Sequence, residues 1–242
     1  MRFPILSMLL IAGQAVAAEP TFTSQQRHEI VQVIREAMKA DPGILREAIT
    51  ALQADEQARA EADTRARLVD KHQALVANPA DPVAGNPQGD VTLVEFYDPR
   101  CQYCRRMLPS IAALLQKDHG LRLIYKDIPV LGPASVMESR AILAAQRQGG
   151  YQTMQSALMA DPAQPSAEMI AATARSLGLD PVKLAADMAS PAVSRQIEAN
   201  LSLARDLKLD GTPVFVVGDT VIPGAVDEAT LEGVIARARK HS

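Results

Sequence analysis

The sequence has no tryptophan, and its four phenylalanines and four tyrosines make aromatic residues only 3% of 242. A core cannot rest on large rings here; hydrophobic residues are nevertheless 48% of the chain, so the interior must be built from Leu, Ile, Val, Ala and Met. Long basic runs are also lacking, and the net charge is −3 with both signs interspersed, which excludes nucleic acid as the expected partner. Histidine is scarce, at positions 28, 72, 119 and 241, and none lies beside the two cysteines, Cys101 and Cys104. No second CxxC and no paired His accompanies them, which removes the usual donor set of a structural zinc site. After the first residues no apolar run is long enough for a membrane span, which needs about 20 residues.

The first residues are the exception. MRFPILSMLLIAGQAVAA places Arg2 before an apolar run that ends in the small residues Ala15, Ala17 and Ala18, the pattern of a cleaved secretory signal over residues 1–18. A membrane anchor would need a longer run and a basic flank, so the expected product is exported, in a bacterium to the periplasm.

Residues 19–77 read as a helical extension. SQQRHEIVQVIREAMKA sets Ile30, Val31, Ile34, Ala37 and Met38 on one face. Asp41 and Pro42 resemble an N-cap and first-turn proline, and Ile44, Leu45, Ala48, Ile49 and Leu52 follow at helical spacing. ADEQARAEADTRARLVD is then charged and alanine-rich, the composition of an exposed connecting helix, whose ion pairs each contribute about 0.2 to 0.5 kcal/mol. The apolar faces before it either fold back on the main domain or pack against copies of themselves. The polar spacer favours a homo-oligomer built through these helices.

Pro, Gly, Asn and Asp cluster over residues 77–90 and mark a linker, with the main domain assigned to residues 78–242. Within it VTLVEFYD reads as a buried strand, a helix runs from about Cys101 to Lys117, and LRLIYKDI reads as a second strand. Only helical patterns occupy about 133–208, with starts at Ser166, at Asp180 before Pro181 and at Ser190 before Pro191. TPVFVVGD and TVIPG return to strand, and a helix from about Asp227 closes the chain. This order is α/β with an inserted helical subdomain.

The cysteines stand in EFYDPRCQYCRRMLP, residues 95–109. A disulfide closing so short a segment constrains little chain entropy and is a poor staple. A copper(I) site on two thiolates stays open as a side activity. The redox reading accounts for the placement: a strand delivers Cys101 to a helix N-terminus, where free N–H groups and the helix dipole favour a thiolate. Arg100, Arg105 and Arg106 either add positive charge there or are solvated surface. Cys101 is then the exposed nucleophile and Cys104 the resolving thiol.

The segment resembles the thioredoxin-fold disulfide oxidoreductases, and the helical insertion is similar to that of the DsbA-like branch. The resemblance covers roughly residues 85–240. Pro109 matches the proline inside the active-site helix, Pro213 after Thr212 the cis-proline loop that faces the CxxC, and Glu95 the buried acid. It implies a thioredoxin fold, with Cys101, Cys104, Glu95, Thr212 and Pro213 as catalytic candidates and with no cofactor or metal. By their own chemistry, Pro213 can also be a trans proline opening an edge strand, and Glu95 a solvent-facing charge or the partner of Lys126. The resemblance makes Glu95 the proton acceptor for Cys104, with Lys126 as a tuning partner.

Tyr103 stands where strong oxidants of the family carry His, and a missing positive charge there implies a milder couple. Tyr103 and Thr212 resemble the isomerase branch, and the N-terminal extension is similar in arrangement to the oligomeric ScsC-type proteins and the DsbC/DsbG class. The implied activity is isomerisation or reduction of protein disulfides. Its partners would be proteins with free thiols or non-native disulfides and a redox protein that resets the dithiol. A DsbA-like dithiol oxidase is the nearest alternative, and a non-enzymatic copper-binding or chaperone protein is the alternative from another class.

Overall fold

The computed structural model describes residues 22–240 and divides into two units, residues 1–58 and 59–242. The signal expected over residues 1–18 lies outside the described residues.

The first unit carries helix α1 (Ser24–Ala40) and the start of α2 (Gly43–Asp70). Thr23 and Gln26 form a reciprocal capping box at the start of α1, satisfying two donors that no helical carbonyl can reach. Asp41 ends α1 and its carboxylate accepts from the Gly43 N–H, so one residue serves both helices. No residue of α1 is buried; Ile30, Val31, Val33, Ile34 and Met38 are exposed, as are Ile44, Leu45, Ile49 and Leu52 in α2.

The second unit holds a five-stranded sheet in the order β1-β3-β2-β4-β5, formed by β1 (Val83–Gly85), β2 (Val91–Tyr97), β3 (Leu121–Asp127), β4 (Val214–Val217) and β5 (Thr220–Pro223). Only β2 and β3 are parallel, joined by α4 (Gln102–Lys117). Helices α5 (Pro133–Gln146), α6 (Tyr151–Ala160), α7 (Ala167–Ser176), α8 (Pro181–Met188) and α9 (Pro191–Asp206) are inserted between β3 and β4, and α10 (Glu228–Arg239) follows β5. Ser166, Asp180, Ser190 and Asp227 cap their helices with side-chain oxygens, as their sequence positions indicate. This is the thioredoxin fold with a helical insertion.

Both sheet faces are covered, which explains why the strands read as continuous apolar runs. Leu93, Tyr97, Leu123, Tyr125, Phe215 and Val217 join one core with Cys104 and Ile111 of α4 and the inserted helices. Val94, Phe96, Ile124, Val214 and Val216 face the other way, against Leu68, Leu75 and Leu203.

That second core draws in residues before position 78. The sequence places the start of the main domain at residue 78, whereas the compact unit begins at Arg59 inside α2. Leu68 of α2 and Leu75 of the short helix α3 (His72–Val76) are buried in it, and the expected linker contains β1, paired with β3. Two isolated leucines in a polar stretch were too weak a periodic signal to mark a core contact.

Candidate active site

The site forms where β2 ends and α4 begins. Cys101 is the N-cap of α4, its backbone extended and its carbonyl accepting from Arg105 N–H at 3.0 Å. Cys104 follows within the first turn, and Pro109 lies inside the helix, where it contributes no N–H to the ladder. Both cysteines are free thiols. Cys101 was expected to be exposed; it is 6% exposed and Cys104 0%, so the first is the more accessible of two largely covered sulfurs. Burial pushes the Cys104 thiol well above its ordinary range, with nearby Glu95 and Cys101 adding to the rise.

The opposite wall comes from the segment before β4. Gly211 takes φ +78°, a left-handed conformation open to glycine. The Thr212–Pro213 bond is cis, and the Thr212 carbonyl accepts from the Cys101 thiol at 3.3 Å. Glu95 is 2% exposed on β2, so the solvent-facing reading of it does not hold. Burial, then the neighbouring Asp127 and Cys101, push its carboxyl up to about 8. The structure therefore brings together all five residues singled out from sequence.

Lys126 is not among Glu95's neighbours. In the parallel β2–β3 pairing Glu95 is level with Tyr125 and Phe96 with Lys126, so strand alternation sends Lys126 to the opposite face. There its ammonium is buried and donates to the Asp81 carboxylate and, at 2.7 Å, to the Ala74 carbonyl. It fastens α3 and the 78–82 segment to the sheet instead of tuning Glu95.

Several positioning groups escaped the sequence reading. Asp98 is fully buried, and its carboxylate accepts from the backbone N–H groups of Arg100 (2.7 Å), Val130 (2.8 Å) and Leu131 (3.0 Å). It ties the cysteine loop to the turn after β3. Arg100 and Arg105 are also held rather than solvated. Arg100 reaches the buried carboxylate of Glu138 on α5 at 3.0 Å and the carbonyls of Ala163 and Pro162. Arg105 donates to the Pro99 and Asp161 carbonyls. Arg106 stacks its guanidinium 4.4 Å from the centre of the exposed Tyr103 ring. The signal for Glu138, an acid in an apolar helix, was present in ASVMESRAILAA.

Chemically, a covered dithiol with a raised second thiol, a proton-holding carboxyl and a backbone carbonyl bonded to the first sulfur can support thiol–disulfide exchange. Among the described residues no group of three or more His, Cys, Asp or Glu is placed to hold a metal ion.

Residues 92–236 match the DSBA-like thioredoxin domain, and residues 26–59 match the copper resistance protein ScsC N-terminal domain. The chain is similar to the solved structure of a thioredoxin-like oxidoreductase from Silicibacter pomeroyi, with 40% identity over 70% of this chain and 98% of that one, at a TM-score of 0.67. It is also similar to Proteus mirabilis ScsC in a transitional conformation, with 28% identity over 92% of this chain and 99% of that one, at a TM-score of 0.67. The Na(+)/H(+) antiporter NhaA of Herminiimonas arsenicoxydans is 29% identical over 167 residues, 67% of this chain and 27% of the antiporter. The chain thus spans about a quarter of the length of the curated relatives it matches. Among the described residues no helix is long and apolar enough to cross a membrane.

Proposed function

This chain belongs to the DSBA-like thioredoxin domain family of thiol–disulfide oxidoreductases, and within that class we propose that it isomerises or reduces disulfides of other exported proteins. The observation that carries the reading is the juxtaposition of the Cys101 thiol with the Thr212 carbonyl, and of Glu95 with Cys104 beneath them. Cys101 attacks a substrate disulfide, forming a mixed disulfide and releasing the substrate's other sulfur as a thiolate. Cys104 then gives its proton to the ionised form of Glu95 and its sulfur attacks Cys101, closing the Cys101–Cys104 disulfide and freeing the substrate thiol. In isomerisation, the released substrate thiolate instead attacks the mixed disulfide, and the dithiol is recovered unchanged.

Tyr103 supports the milder, shuffling side of the class, since it offers no cationic donor beside the sulfur. The exposed apolar positions of α1 and early α2 support assembly of several copies, as does the match of residues 26–59 to an ScsC N-terminal domain. The domain plan we propose is a signal at 1–18, an oligomerising segment from 19 into α2, and a catalytic domain beginning at Arg59, delivered to the periplasm. A redox protein resets the dithiol.

The test is recovery of activity from scrambled ribonuclease. The full chain is expected to restore it catalytically; no recovery together with efficient oxidation of a reduced peptide would assign the chain to the dithiol oxidases. The similarity of residues 26–59 to the N-terminal domain of a copper resistance protein favours a second reading, copper handling. Stoichiometric copper(I) binding lost in Cys101→Ser would support it.

A further inference from the structure

Strand register gives Glu95 an acid for a neighbour. Glu95 is level with Tyr125 and Tyr97 with Asp127, and alternation puts these four side chains on one face of the sheet. Asp127 is fully buried. Its Oδ1 lies 2.8 Å from the Tyr97 hydroxyl and its Oδ2 2.8 Å from the hydroxyl of Tyr151 on α6, while the two hydroxyls lie 2.8 Å from each other.

These three contacts close a ring through the carboxyl carbon. Each O···O contact of that length needs one hydrogen between its oxygens. The two phenols supply two, and a carboxylate supplies none. If Asp127 were ionised, one pair of oxygens would meet lone pair to lone pair in a buried site, an uncompensated contact of the kind that buried groups avoid. A third hydrogen on the Asp127 carboxyl completes the ring, each oxygen pair then sharing one.

We propose that Asp127 is a protonated carboxyl held by Tyr97 and Tyr151, and that it acts as a positioning group which sets how readily Glu95 accepts the Cys104 proton. The inference rests on the reading of Glu95 as that acceptor. Burial supports it by pushing the Asp127 carboxyl up to about 7 and both phenols far above their ordinary range. The other groups facing the ring are Glu95 on β2, Tyr125 on β3 and Gln155 on α6; Asp81 acts from the opposite face, where it is paired with Lys126, and Asn200 on α9 donates to the Asp127 backbone carbonyl. None is a cation, so loss of the ring proton leaves a negative charge whose main effect on the site is to hold the proton on Glu95. The two acids titrate as a coupled pair, so Glu95 ionising beside a charged Asp127 does so against that charge.

The experiment uses the full-length protein and its Asp127→Asn, Tyr151→Phe and Glu95→Gln variants. Infrared difference spectra of the wild type on raising the pH should show loss of a protonated carboxylic acid band that is missing in Asp127→Asn; an identical band set in both would overturn the proposal. The second readout is the pH profile of the step in which Cys104 displaces substrate from a mixed disulfide. Asp127→Asn should move its midpoint down by roughly half a unit or more, because Glu95 no longer ionises against a charge. An unmoved midpoint would overturn the proposal while leaving the acceptor role of Glu95 intact, provided that Glu95→Gln flattens the profile. A wild-type profile in Glu95→Gln would remove the acceptor role and this inference with it. Should Asp127→Asn fail to fold, Tyr151→Phe carries the test: with one donor gone Asp127 keeps its proton to higher pH, and the midpoint should again fall.

Discussion

The Cys101 thiol donates to the carbonyl of Thr212 at 3.3 Å, across 111 positions of sequence. The contact joins the N-cap of α4 to the residue before Pro213, and so sets the sulfur beside the backbone that leads into β4. An extended substrate joined to Cys101 would run along that backbone, whose recognition is independent of substrate side chains.

Tyr103 is exposed on the first turn of α4, close to Cys101 in sequence and stacked by Arg106. Tyr103→His should make the couple more oxidising, by about 30 mV for each tenfold shift toward the reduced form in a glutathione equilibrium. An unchanged or more reducing couple would show that Tyr103 does not set the potential.

Glu95 has a carboxyl raised from 4.5 to about 8 in the folded chain. Between those limits the native state holds a proton that the unfolded state has released, so stability falls as pH rises through the window and levels off above it. Glu95→Gln removes that loss. Urea unfolding should find the variant more stable than the wild type by a few kcal/mol at pH about 8 and nearly equal at about 4; equal stability at both would contradict a buried, proton-holding Glu95.

Much of this was legible in the sequence. CQYC after a buried strand, the proline eight residues on, and GTP before VFVV fixed the site, because helix caps, turn residues and strand runs are local signals. What stayed hidden depends on pairing. Lys126 looked like a partner for Glu95 because both interrupt apolar strands; only the register, Glu95 level with Tyr125, sends it to the other face. The same register brings Asp127 and Tyr97 together. Leu68 and Leu75 are hidden for another reason, since α2 and α3 each bury a single leucine and so present no periodic face to detect.

Lys126 and Asp81 are each 1% exposed by side chain and hydrogen bonded to each other. Asp81→Ala leaves the ammonium buried without its counter-charge and should cost about 3 to 5 kcal/mol, read by thermal or urea unfolding. A loss under about 1 kcal/mol would mean that water reaches Lys126.

Truncations separate assembly from chemistry. A chain beginning at Arg59 keeps Leu68, Leu75 and Asp81 and lacks α1; light scattering should find it monomeric, with dithiol exchange on a small peptide retained and reactivation of scrambled protein lost. A chain beginning at Gly85 also loses the Lys126 partner and should be markedly less stable. An Arg59 chain of unchanged oligomeric mass would move the assembly surface out of the N-terminal helices.

In the proposed reaction Cys101 attacks disulfides of other proteins and Cys104 resolves them. Mass spectrometry of the full-length Cys104→Ala protein, incubated with a scrambled disulfide protein, tests it most directly. A reductant-sensitive adduct of one chain with one substrate should accumulate, linked through Cys101 and missing from Cys101→Ser. No adduct, or one that survives Cys101→Ser, would contradict it.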